Sequence, residues 1–263
     1  MKKYIFGFIC IASLIKAEVG DRGCFLAIEN NKILSQEGEC QLRHAPRCSF
    51  NIAISLMGFD EGLLVDETCP EFQFKEGYFD YIEKWKQSHN PYLWMKNSCL
   101  WYSQVLIQKL GAKKFQEYVR KFNYGNQDVS GDKGKNNGLT RSWMSGSSLE
   151  ISPEEQAVFL QKFLDQKFPV SSESYEMTKN IIFVDDLVDG WKRYGKTGLG
   201  NAPNADGTLN EDREEGWFVG WAEKGKRAII CVCYIEQDRQ DISASGLAKE
   251  IAKEKLMKLI EVR

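Results

Sequence analysis

Histidine is nearly absent from this chain: 263 residues contain two, His44 and His89. That scarcity argues against a His-rich metal centre, and no cysteine–histidine spacing matches a zinc site. Neither sign of charge is in excess. Lys and Arg number 35 against 37 Asp and Glu, a formal net charge of −2. A general nucleic-acid binder usually carries a basic surplus, so nucleic acid is not an expected partner. Proline (6) and glycine (22) are too few for a fibrous or disordered chain. Beyond the N-terminal segment, no apolar run approaches the roughly 20 residues that a membrane-spanning helix needs. No internal repeat or low-complexity linker interrupts the chain. What is present suits a globular protein: 43% hydrophobic and 27% charged residues, in a length that allows one large domain or two small ones.

The first residues have the pattern of a secretory signal peptide. Lys2 and Lys3 form a basic start, residues 4–15 are apolar, and Ala17 ends the run before Glu18. Residues 1–17 are expected to be a removable leader, and residues 18–263 one exported, periplasmic domain with no membrane span. Cys10 lacks the small residues that precede a lipoprotein cleavage site. Eight cysteines are present, and losing Cys10 with the leader leaves seven, so at least one stays unpaired within a monomer. Cys24 and Cys40 flank a strand–turn–strand pattern around Glu29-Asn30-Asn31-Lys32, and hairpin geometry can bring them together as a cross-strand disulfide. Cys231 and Cys233, two apart on an apolar strand, face one side and read as small buried hydrophobes.

Periodicity gives a mixed α+β chain. A β-hairpin is predicted over 23–36, a short apolar helix over 49–59, and a longer helix over 98–120 with Leu100, Val105, Leu106, Leu110 and Phe115 on one stripe. Ser152-Pro153-Glu154-Glu155 is a helix start, with Ser as N-cap, Pro at the first helical position and Glu at the third. Residues 192–200, 216–223 and 227–235 read as strands, and 243–262 as a closing helix. The order suggests a central antiparallel sheet assembled from both chain ends. The last helix lies on one face, and a helical region over about 60–180 on the other. Trp217 and Trp221 read as packing residues. Asp185-Asp186 and Glu214-Glu215 read as solvated turns.

Lys196-Thr197-Gly198 is a weak signal alone, as are Ser98 and Tyr124-Gly125-Asn126. In this order and spacing they are strong, and they resemble class D β-lactamases, the oxacillinase-type serine penicillin-recognising enzymes. Trp94-Met95-Lys96-Asn97-Ser98, Gly131-Asp132, the run 147–153 and Gly216-Trp217-Phe218-Val219-Gly220-Trp221 extend the likeness over essentially the whole mature chain. The resemblance implies a β-lactamase/transpeptidase-like fold and acyl transfer through a covalent intermediate. In that family a serine at a helix start attacks the β-lactam carbonyl. A carboxylated lysine one turn on is the general base. A second serine, here Ser98, relays a proton. The Lys-Thr-Gly strand holds the substrate carboxylate. Two backbone N–H groups, those of the nucleophile and of the residue after Lys-Thr-Gly (here Leu199), form the oxyanion hole.

The sequence departs from that pattern at its centre. The family motif Pro-x-Ser-Thr-Phe-Lys-Ile appears as Pro46-Arg47-Cys48-Ser49-Phe50-Asn51-Ile52. In the ungapped register Cys48 takes the nucleophile position and Asn51 the lysine position. Taking Ser49 as nucleophile leaves no lysine one turn later. Leu100 replaces a valine, and Ser245-Gly246-Leu247-Ala248 lacks the arginine that usually meets the substrate carboxylate, leaving Lys249 or Arg239 to deputise. Trp143 matches the tryptophan that contacts the carbamate, which Asn51 cannot form; no other cofactor is implied. A helix N-terminus is expected to lower the Cys48 thiol pKa and permit acylation. Without a base, deacylation is expected to fail. β-Lactams are the expected ligands. The alternatives are slow hydrolysis, or a non-hydrolytic penicillin-binding or sensing module, including an inactive paralogue.

Overall fold

Alternation along the central strands decides the architecture. The computed structural model describes residues 19–261 apart from 21 and 205. The leader expected over 1–17 lies outside the described residues. Strands β1 (Cys24–Glu29), β2 (Lys32–Gly38), β3 (Phe183–Asp186), β4 (Lys192–Pro203), β5 (Leu209–Lys224) and β6 (Arg227–Asp238) form one sheet in the order β2-β1-β6-β5-β4-β3. Every neighbouring pair is antiparallel. The helices are α1 (Asn51–Asp60), α2 (Pro91–Asn97), α3 (Leu100–Leu110), α4 (Ala112–Phe122), α5 (Gly138–Arg141), α6 (Pro153–Leu164), α7 (Ser172–Ile181) and α8 (Ala244–Glu261).

Successive side chains of a strand point to opposite faces. Leu26, Trp217, Val219, Trp221 and Val232 accordingly join the core shared with α1, α3, α4 and α6. Phe25, Phe218, Ala222, Cys231 and Cys233 face α8, which lays Ala248, Ile251, Ala252 and Leu256 on them. Strands from both chain ends thus enclose a helical middle, as predicted. Trp217 and Trp221 are fully buried. Ser152 caps α6 by accepting from Glu155 N–H at 3.2 Å, and the Glu155 carboxylate accepts from Ser152 N–H at 2.9 Å. Cys24 and Cys40 are bonded, with Cα atoms 5.1 Å apart. The bridge closes a short loop, so replacing both cysteines by alanine should cost about 3 kcal/mol of stability. Urea unfolding measures this, and an unchanged midpoint would contradict it.

Several expectations need correction. The helix predicted over 98–120 is two helices. Ser98, at φ 51°, ends α2 in the left-handed region, and Gly111, at φ 83°, separates α3 from α4. Helix α2 itself was not predicted, although Asn90 as N-cap and Pro91 at the first position are sequence signals for it; the Asn90 side chain accepts from Leu93 N–H at 2.9 Å. The predicted helix over 49–59 starts as a 3₁₀ turn, Arg47–Phe50, before α1. Asp185 and Asp186 are not in a turn but in the short edge strand β3. Asp185 accepts from buried Arg193 at 2.8 and 2.9 Å. Asp186 is exposed, as expected, whereas Glu214 and Glu215 are not solvated: both are buried in β5. Glu214 accepts from Ala244 N–H at the start of α8 at 3.0 Å, where the helix dipole favours a negative charge.

Candidate active site

The free edge of β4 frames the site. Strand β3 pairs with β4 as far as Tyr194, and Gly195 N–H donates to Ile182 O at 2.9 Å. Past that point β4 has β5 on one side alone. Strand alternation turns the N–H of Thr197 and of Leu199 toward the same open edge as that of Gly195. Lys196 pairs with Val219, so its side chain points to the helical side of the sheet. Its ammonium, almost wholly buried, donates to the Ser98 hydroxyl and, at 3.1 Å, to the Thr197 carbonyl. The left-handed turn at Ser98 directs its carbonyl to Cys48, whose sulfur lies 3.8 Å away. Cys48, Ser98 and Lys196, spread over 148 positions of sequence, therefore meet at one point.

Glycines allow this approach. A Cβ on Gly198 would sit 2.9 Å from Pro46 O and 3.3 Å from Ser49 N. A Cβ on Gly200 would collide with the Arg47 guanidinium at 2.3 Å. Gly198 thereby lets β4 close onto the turn that carries Cys48. Thr197 is half-buried, and Leu199 stands exposed at the rim.

Arg47 was not foreseen as a site residue. It is buried, holds a left-handed φ of 56°, and pairs with Glu215 through Nε–Oε1 at 2.7 Å. It also donates to Asn201 O at 2.9 Å, and Glu215 accepts from Tyr234 OH at 2.9 Å. The ion pair ties the Cys48 turn to β5 under β4. Burial lowers the Arg47 pKa and raises that of Glu215, so each charge depends on the other. No local signal marks a pair whose members lie 168 residues apart.

Ser49 and Asn51 occupy closed networks. The Ser49 hydroxyl donates to Pro46 O at 2.6 Å and accepts from Gln156 at 3.1 Å; Gln156 also donates to Tyr124 OH at 3.0 Å. Ser49 is buried, whereas Cys48 is partly exposed. Asn51 is fully buried at the start of α1. Trp94 Nε1 donates to Ser103 Oγ at 2.8 Å, and the Ser103 hydroxyl donates to Asn51 Oδ1 at 3.0 Å. Asn51 Nδ2 has no partner in this arrangement. Trp143, fully buried against Phe50 at 6.0 Å, also has an unpartnered indole N–H.

Electrostatics at Cys48 differ from the sequence expectation. The thiol pKa is raised, not lowered: burial outweighs the attraction of Lys196 and Arg47 for a thiolate. Burial first, then the charge of Lys249, lowers the Lys196 pKa to about 8. Alkylation of Cys48 by iodoacetamide, read on the Cys48 peptide by mass spectrometry, should lag a free-cysteine peptide at pH 7.5. It should rise through a midpoint above that of the free-cysteine peptide. A midpoint below that value would contradict this. Arg239, one candidate deputy for the missing arginine, is paired with Glu214 at 2.9 Å. Lys249 faces a cavity beside Lys196.

The family profile of the penicillin binding protein transpeptidase domain matches residues 22–257. Beta-lactamase OXA-9 of Klebsiella pneumoniae is 41% identical over 256 residues, 95% of this chain and 92% of that protein. The crystal structure of OXA-427 class D β-lactamase matches with a TM-score of 0.86 and 43% identity, over 91% of this chain and 98% of that one. Regulatory protein BlaR1 of Bacillus licheniformis is more distant, 26% identical over 233 residues, 88% of this chain and 35% of its own length. The chain belongs to the class D β-lactamase family. Among the described residues no helix is long and apolar enough to cross a membrane.

Proposed function

We propose that this protein is exported to the periplasm, binds penicillins between the Cys48 turn and β4, and is acylated there with little or no turnover. The β-lactam carbonyl carbon bonds to Cys48 Sγ, and the ring C–N bond breaks. The thiol proton reaches the ring nitrogen through the Ser98 hydroxyl, beside the Lys196 ammonium. The Lys196 pKa of about 8 suits a group that shares a proton near neutrality. The N–H groups of Cys48 and Leu199 hold the developing oxyanion, and Lys196, Thr197 and Gly198 receive the substrate carboxylate.

One observation carries the reading. Asn51 stands where the family keeps its base, and its oxygen is already engaged by Ser103. A side-chain amide neither takes a proton from water at neutral pH nor forms a carbamate. The thioester should therefore persist. BlaR1, a regulatory protein, favours a second reading, in which the lasting acyl-enzyme is itself a signal. Intact mass spectrometry after mixing with benzylpenicillin tests the proposal. One penicillin per chain should appear, remain for hours, and be absent from Cys48→Ala. The absence of both adduct and hydrolysis would overturn penicillin acylation at this site.

A further inference from the structure

The edge of β4 opens a notch where β3 ends, and a cavity of about 280 Å³ fills it. Met95 and Lys96 of α2 form one wall, Ile182 the second, and Phe218 with Lys249 of α8 the third. Lys196 and Thr197 border it from the strand, whereas Cys48, Ser98 and Leu199 do not line it. Thr197 pairs with Phe218 and faces α8, while Lys196 faces the helical half, so the cavity wraps around the sheet edge.

Its charge is one-sided. Lys96, Lys196 and Lys249 line it with no Asp or Glu among the lining residues. None of the three has a carboxylate partner among the described residues. Lys196 meets Ser98 and Thr197, and the Lys96 ammonium rests over the Tyr92 ring at 5.4 Å. The rest of the lining is mostly apolar. Unpaired cations around an apolar hollow are complementary to an anion with an apolar body. A bare inorganic anion would lose hydration against the apolar walls without covering them. The volume is near the lower end of ligand pockets, about 300 Å³, which limits the body to a compact one.

We propose that this notch, which adjoins the cleft at Cys48 and shares Lys196 and Thr197 with it, is a binding site for a small organic monocarboxylate with a compact apolar body. The carboxylate sits between Lys249 and Lys96 beside Lys196, and its apolar part covers Met95, Ile182 and Phe218. The binding itself does not depend on acylation at Cys48.

Ligand-observed NMR titration of the mature chain with 3-phenylpropionate tests this. A Kd on the order of 0.1–1 mM is expected for a ligand of this size. The neutral 3-phenylpropionamide and inorganic phosphate should each bind about tenfold more weakly or worse. Lys249→Gln should weaken the carboxylate about tenfold and the exposed Lys96→Gln about threefold, with unchanged circular dichroism. Protein alkylated at Cys48 should bind as the unmodified chain does, so a failure of penicillin acylation leaves this result intact. Equal affinity for the amide, equal affinity for phosphate, or unweakened binding in both variants would overturn the site.

Discussion

Cys48→Ser combined with Asn51→Lys should give measurable nitrocefin hydrolysis that increases with added bicarbonate. Cys48→Ser alone should give far less, because a serine hydroxyl needs a base even more than a thiol does. A general base contributes about 10²–10⁴-fold, and that is the gain expected when Asn51→Lys is added to Cys48→Ser. The structure indicates why the lysine should be received. Trp143 Nε1 is a buried donor with no acceptor, and a carbamate is an acceptor. Adding Trp143→Phe to the double variant should remove most of the bicarbonate effect. A Cys48→Ser single variant as active as the double would show that the base lies elsewhere.

The second large effect concerns folding. Glu215→Ala should cost about 3–5 kcal/mol, because it leaves the Arg47 guanidinium buried without its counter-charge. Arg47 is held in a backbone region that costs a non-glycine residue about 1–3 kcal/mol, so losing the pair removes the contact that offsets this strain. Replacing both residues by leucine should cost less than Arg47→Leu and Glu215→Leu summed, since no charge is then stranded. Urea unfolding of the four proteins gives the coupling. Additive losses would mean that the pair does not act as a unit.

Local chemistry was legible in the sequence and long-range chemistry was not. The α6 capping box, the Cys24–Cys40 hairpin and the strands around Lys196 and Trp217 depend on neighbours in sequence, and the structure has them close to where they were expected. Lys196-Thr197-Gly198 and Ser98 were legible as a family pattern, and they meet in space. The Ser98 helix break was missed because nothing local requires a serine to adopt φ 51°. The four-residue strand β3 was missed because its acidic pair reads as solvent-facing until Arg193 and Lys253 are brought to it. Glu215 was misread for the same reason: its partner Arg47 is far away in sequence. The direction of the Cys48 shift also lay beyond local reading. A helix start argues for a lowered pKa, but packing around the sulfur decides for a raised one.

The central claim is that an amide at position 51 leaves the acyl-enzyme without a base for its hydrolysis. The most direct test is the steady-state rate of the unmodified protein with benzylpenicillin at saturating concentration. The account predicts turnover far below the roughly 10 s⁻¹ of ordinary enzymes, with protein accumulating as the Cys48 adduct. A rate of about 10 s⁻¹ or more, with free enzyme as the main species, would contradict it.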